Sequence, residues 1–252
     1  SLFRIGEWDR AEQELALALD EDPEPADRFV LLSNLLLVRS LRGLDVGGVL
    51  AEIDAIAADS NDLTLRTQRD DAHAFAAFAA ARLAEAAGAW RASASLDASY
   101  APTARLLAAH ASAAAGDLAA VRDDLVAFDT TRLRGLLVRA QRTTILALLA
   151  ALEGDTSAAA GRQREALAAW RRIGFPLDEA LTSLTLVTIL GPDDPTIRAN
   201  ALEAREILER LRARPLVERL DAALARAPES AAATASGAAT APPVATDALA
   251  GS

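Results

Sequence analysis

The chain predicts an all-α fold, an α-solenoid of about six antiparallel helix pairs plus a closing helix, over residues 1–226. Three observations predict it. Residues 136–173 read as helix, tight turn, helix, with apolar residues spaced for one face of each helix. The same glycine-marked break recurs at Gly6, Gly43, Gly116, Gly154 and Gly191, at separations of 37, 73, 38 and 37 residues. Composition leaves little material for a sheet. Apolar residues make up 52 % but much of that is alanine, and aromatic residues are only 4 %. Alanine favours helix, and β-branched runs bounded by turn residues are nearly absent.

The hairpin at 136–173 shows why such units come in arrays. Leu137, Ile145, Leu148, Leu149 and Leu152 fall on one side of the first helix. Gly154 can close that helix in the left-handed conformation, and Asp155 and Thr156 can cap the next. Ala159, Ala166, Leu167, Trp170 and Ile173 then share a face, with Arg162, Arg164, Arg171 and Arg172 over much of the remainder. Two helices cannot bury both apolar faces alone, so they need neighbours. Ala11, Val121 and Ala159 each follow a break glycine by five residues, and slim side chains there let the paired helices approach closely. The separation of 73 is close to twice 37, so a turn without glycine is expected near Leu83-Ala84-Glu85.

In chain order, residues 1–5 read as the end of a helix. Arg10–Leu19 is the first complete helix, stopped before Pro23 and Pro25, which cannot continue one. Ala26–Leu41 is apolar almost throughout, which predicts burial on several sides; Val46–Ala57 pairs with it. Asp59–Asp62 is a turn and cap cluster. Leu63–Arg82 pairs with Glu85–Leu96, Pro102–Ala115 with Leu118–Phe128, and Arg132–Leu152 with Thr156–Ile173. Phe175-Pro176-Leu177 opens the sixth pair, Asp178–Leu190 and Thr196–Leu211, across the stop-and-start segment Gly191–Pro195. Pro215–Ala225 closes the last apolar face. Residues 227–252 are Ala, Ser, Thr and Pro with few charges and no aromatic residue, and are expected to be disordered.

The net charge of −10 argues against a general nucleic-acid binder. The charge is unevenly placed: residues 1–62 carry a balance of −9 and residues 132–172 a balance of +5. A solvated surface accounts for this, and an oriented partner would use it. There is no cysteine, hence no disulfide framework or thiol chemistry. No N-terminal signal pattern is present, and the longest apolar runs, such as Thr143–Leu152, fall short of the roughly 20 residues that span a bilayer. A soluble, cytoplasmic protein is expected, and the absence of Met at position 1 suggests a processed chain or a fragment.

Residues able to carry chemistry are few. Asp70 and His73 share a helix face at i,i+3, but no cysteine or second His–carboxylate pair completes a metal set. His110, on an alanine-rich helix, reads as a packed or hydrogen-bonded residue. Gly154–Arg162 superficially suggests a phosphate loop, yet its glycines are seven apart and no lysine follows; a turn between helices explains it better. Two histidines leave little material for a Ser-His-Asp site. Trp8, Trp90 and Trp170 read as core wedges between helices. Glu206 and Arg210 form an i,i+4 pair on a solvated face. Arg162, Arg164, Arg171 and Arg172 are the best candidates for contact with an anion or partner. No catalytic residue, cofactor or metal is expected in this segment.

The segment Gly6-Glu7-Trp8-Asp9-Arg10-Ala11-Glu12 resembles the turn into the second helix of a tetratricopeptide repeat, and Gly116-Asp117-Leu118-Ala119 and Gly154-Asp155-Thr156-Ser157 are similar. The stretches Arg164–Trp170, Gly174–Ala180, Leu190–Pro195 and Ala204–Pro215 resemble the end of a family of large bacterial signalling proteins. These combine a class III adenylate/guanylate cyclase domain, a regulatory AAA-type ATPase and a C-terminal tetratricopeptide-like solenoid. Related LuxR-type ATPase regulators carry similar solenoids followed by a DNA-binding helix-turn-helix. The resemblance covers nearly residues 1–226 and is most distinctive over 164–224. It implies a non-catalytic scaffold or sensor whose partner is another protein or another domain of the same chain, with catalytic parts upstream of Ser1. None of their motifs lies here, so no functional residue is carried over. The alternatives are the solenoid of a LuxR-type transcription regulator and a small-molecule-binding helical domain.

Overall fold

Twelve helices follow one another in the computed structural model, which describes residues 2–58 and 60–226; no strand occurs among them. They are α1 (Trp8–Asp20), α2 (Pro25–Arg42), α3 (Gly47–Ala57), α4 (Leu63–Ala79), α5 (Leu83–Leu96), α6 (Ala101–Ala114), α7 (Leu118–Asp129), α8 (Leu136–Leu152), α9 (Thr156–Ile173), α10 (Pro176–Leu190), α11 (Pro195–Arg210) and α12 (Arg214–Leu224). The all-α repeat fold is as the sequence predicts, with α2/α3, α4/α5, α6/α7, α8/α9 and α10/α11 as antiparallel pairs and α12 closing the array. No described helix is long and apolar enough to cross a membrane. The disorder expected for residues 227–252 lies outside the described residues.

A single turn design sets the period. Gly43, Gly116 and Gly154 take φ of +71°, +79° and +80° at helix ends. The next residue's N–H bonds back to the carbonyl five positions earlier, as in Leu44 to Arg39 (3.0 Å), Asp117 to Ser112 (2.9 Å) and Asp155 to Ala150 (2.9 Å). This is the Schellman closure. Asp117 and Asp155 then accept from the N–H groups of Ala120 and Ala158, so each Gly-Asp pair ends one helix and caps the next. The turn without glycine is at Ala81, just before the expected position. Ala81 takes φ +58°, and Arg82 N–H reaches Ala77 O at 2.8 Å. Arg212 repeats the geometry between α11 and α12.

Three boundaries differ from expectation. The first helix begins at Trp8 rather than Arg10, and residues 2–6 form hydrogen-bonded turns in which Glu7 N–H reaches Leu2 O at 3.0 Å. The helix expected from Arg132 begins at Leu136, because Gly135 at φ +130° and ψ −179° breaks the path before it. Glu206 and Arg210 do not pair. Arg205 pairs instead with Glu209 (2.6 Å) and with Asp221 of α12 (2.7 Å), fixing α12 onto α11.

The array closes on itself. α6 and α10 are buried on nearly every side and touch each other, although they belong to the fourth and sixth pairs. His110 of α6 hydrogen-bonds Thr185 of α10 at this junction, Nδ1 to Oγ1 at 2.9 Å. The C-terminal α12 packs on α2 as well as on α10 and α11. One apolar core consequently runs from Trp8 through Phe75, Phe78 and Trp90 to Leu181, Leu216 and Leu220. Polar ties reinforce the closure: Arg42 donates to Leu211 O, Arg214 to Gly43 O and Arg219 to Phe78 O. All three tryptophans are in the core, as expected.

Candidate functional site

The closure leaves a cavity on the inner face, lined mainly by the first helices of the pairs. Its outer compartment, about 470 Å³, is walled by residues including Ser33, Asn34, Thr67, Gln68, Asp71, Tyr100 and Phe175. A deeper compartment of about 140 Å³ adjoins it, walled by core residues including Phe75, Leu107, Leu177 and Leu181 together with Asp178. Arg4, Asn34, Leu37, Asp71, Tyr100 and Thr103 border both. The walls therefore come from the segment before α1 and from α2, α4, α6, α8 and α10.

The electrostatics are those of charge held in a poorly solvated space. Asp71 is half-buried on α4, and burial raises its carboxyl from 3.8 to about 6, against hydrogen bonds from Tyr100 and Trp90 and the nearby Arg4. The Tyr100 hydroxyl donates to Asp71 Oδ1 at 2.7 Å. Burial and the Asp71 charge push the Tyr100 hydroxyl well above its usual value. Asp178, in the first turn of α10, is likewise raised to about 6 by burial, partly offset by Arg4. Asp178 carries no side-chain hydrogen bond and no ion pair among the described residues. Asp97, at the mouth, differs: its carboxylate accepts from Ser99 Oγ (2.7 Å), Ser99 N–H (2.8 Å) and Tyr100 N–H (3.3 Å), which hold its carboxyl below the ordinary range.

Arg4 is the cavity's cation. Its guanidinium lies 5.3 Å from the centre of the Phe175 ring, an arrangement that fixes one face of the fork. It forms no ion pair among the described residues, although its charge acts on Asp71, Tyr100 and Asp178. Two more polar groups near the cavity are incompletely matched. Gln68 Oε1 and Gln141 Oε1 are buried acceptors with no donor, while Gln141 Nε2 donates to the cavity residue Thr103 at 2.9 Å. The arrangement can hold a positive group against Asp178 and Asp71. It can hold a negative group against Arg4.

The residues singled out from sequence lie elsewhere. With about 3.6 residues per turn, Arg164 and Arg171 share one side of α9, Arg162 lies opposite and Arg172 falls between. The structure does not gather the four. Arg171 is engaged by Glu179 (2.6 Å) and Glu203 (2.5 Å), whereas Arg162, Arg164 and Arg172 have no ion-pair partner among the described residues. His73 bonds Asp54 of α3 at 2.8 Å, and Asp70 pairs with Arg69. His110 is buried and hydrogen-bonded, as expected, and burial and Arg219 lower it from 6.5 to about 3. Arg4, Asp71, Tyr100 and Asp178 went unrecognised in the sequence. The only cue was that Tyr100 is the sole tyrosine; no spacing links residues 4, 71, 100 and 178.

Comparison with known proteins gives no match to this chain from any family model, curated protein or solved structure.

Proposed function

We propose that this chain is a non-catalytic scaffold and sensor module of a multidomain signalling ATPase of the cyclase-associated type, acting through a contact with another protein or another domain. The observation that carries the reading is the inner cavity. Its walls combine Arg4, before the first helix, with Asp178 and Leu181 of the tenth, so an occupant touches widely separated parts of the array at once. A repeat array transmits such a change because each unit is held mainly by its neighbours. The C-terminal stretches that resemble cyclase-associated ATPases supply the signalling context. Arg164 and Arg172, exposed and without ion-pair partners among the described residues, are the side chains we assign to an acidic partner or domain.

The test is to express the complete open reading frame containing this segment and to measure ATP hydrolysis and cyclic-nucleotide formation. Removing residues 1–226 is expected to change either rate severalfold. Charge reversal at Arg164 and Arg172 together is expected to reproduce part of that change. A reading frame with no nucleotide-hydrolysing domain, or rates indifferent to the deletion, would overturn the proposal.

A further inference from the structure

We infer that the inner cavity binds a zwitterion of the apolar α-amino-acid type, its ammonium against Asp178 and Asp71, its carboxylate against Arg4, and its side chain in the deeper compartment. The inference rests on the sensor reading above for its biological meaning, but its chemistry stands on the cavity alone.

The first support is a mismatch of partners. Buried or half-buried charges are normally paired, because an unpaired charge removed from bulk water is costly. Here the Asp178 carboxylate has no side-chain partner, and Asp71 has only the neutral donors Tyr100 and Trp90. Arg4 faces both through space yet closes no ion pair among the described residues. A pure cation would satisfy the carboxylates and leave Arg4 unmatched and repelled. A pure anion would satisfy Arg4 and face two carboxylates. A zwitterion matches both signs and leaves the net charge of the cavity unchanged.

The donor count agrees. The acceptors on offer are the carboxylates of Asp178, which has no side-chain partner, and of Asp71, which Tyr100 and Trp90 only partly satisfy. An ammonium offers three N–H donors to such a set. Arg4 supplies a planar fork suited to a single carboxylate. Asp97 borders only the outer compartment, and its Oδ1 is already taken by Ser99 and the Tyr100 N–H.

Size and polarity fix the rest. The deeper compartment, about 140 Å³, is walled by Leu37, Phe75, Leu107, Leu177 and Leu181 together with the polar Arg4, Asp71, Tyr100 and Asp178. An engineered apolar cavity of ~150 Å³ is large enough to take up benzene. A leucine-sized side chain suits such a space, and glycine would leave it empty.

The experiment is calorimetric titration and thermal shift on the full 252-residue chain at pH 7.5, with L-leucine as probe. Glycine lacks the apolar group, L-leucinamide lacks the carboxylate, and N-acetyl-L-leucine lacks the ammonium. Leucine is expected to bind saturably at one site, with the other three at least tenfold weaker. Asp178→Asn should weaken leucine at least tenfold. Arg4→Gln should weaken leucine similarly while leaving the cationic leucinamide no weaker, or tighter, a pattern that loss of folding would not produce. Far-UV circular dichroism on each variant checks the helices. No stabilisation by leucine at millimolar concentration overturns the inference, as does leucinamide binding equal to leucine, or leucine binding indifferent to both variants. If leucine fails while deletion of residues 1–226 still alters ATP hydrolysis in the parent chain, the zwitterion site falls and the sensor reading stands.

Discussion

At the scale of single residues, the informative groups are those whose protonation folding alters. Asp71 and Asp178 are carboxyls raised from 3.8 to about 6, so between about pH 4 and pH 6 the folded chain holds protons that the unfolded chain has released. Stability therefore falls as pH rises through that window, and the penalty is complete above it. Asp178→Asn should melt higher than the parent at pH 7.5, and the gap should close as pH approaches 4. His110 has the opposite sign. Its folded value of about 3 lies below 6.5, so the penalty develops as pH falls from 6.5. His110→Gln should lose less melting temperature than the parent between pH 7 and pH 4.5, measured by circular dichroism. The burial of His110 was legible in sequence because alanine surrounds it. The role of Asp178 was not, because nothing local marks a carboxylate in the first turn of a helix as facing a cavity rather than water.

At the scale of the element, the Schellman turn sets the repeat, and its glycines differ in what surrounds them. Gly43 and Gly116 both sit at positive φ, but a Cβ at Gly43 would lie 2.9 Å from Pro215 Cγ, while one at Gly116 meets nothing within 4 Å. Gly116→Ala should therefore cost about 1 kcal/mol, the left-handed penalty alone. Gly43→Ala adds displacement of a proline ring at the closure and should cost about 2–3 kcal/mol. Ala81→Gly relieves a left-handed alanine and should stabilise by about 0.5 kcal/mol after the glycine entropy is counted. Urea denaturation of the three variants checks all three. The turn period was readable from glycine spacing, and the place of the turn without glycine followed by interpolation. The start of α8 was misread because its apolar pattern gives no sign of the extended backbone at Gly135.

At the scale of the molecule, the array is held shut by α12. Leu216 and Leu220 are fully buried in the core that Trp8, Phe75 and Trp90 share. Leu216→Ala should cost about 2–5 kcal/mol in equilibrium unfolding. Because α12 packs on α2 as well as on α10 and α11, the same change should speed amide exchange in α2, far away in sequence. An array whose units touched only their sequence neighbours would confine the effect to α10 and α11. Exchange mass spectrometry separates the two outcomes.

The amino-acid sequence by itself determined the helices, their pairing and their period, because 3.6-residue apolar spacing, capping aspartates and left-handed glycines act within one turn of chain. It also determined which large side chains are internal, since each tryptophan sits on the apolar face of its own helix. Only the tertiary structure decided that α12 returns to α2 and that α6 meets α10. Those contacts join helices far apart in the chain, and no local residue pattern records them. The cavity is lined from the segment before α1 and from α2, α4, α6, α8 and α10, so Arg4, Asp71, Tyr100 and Asp178 come together through geometry that no stretch of the chain encodes alone.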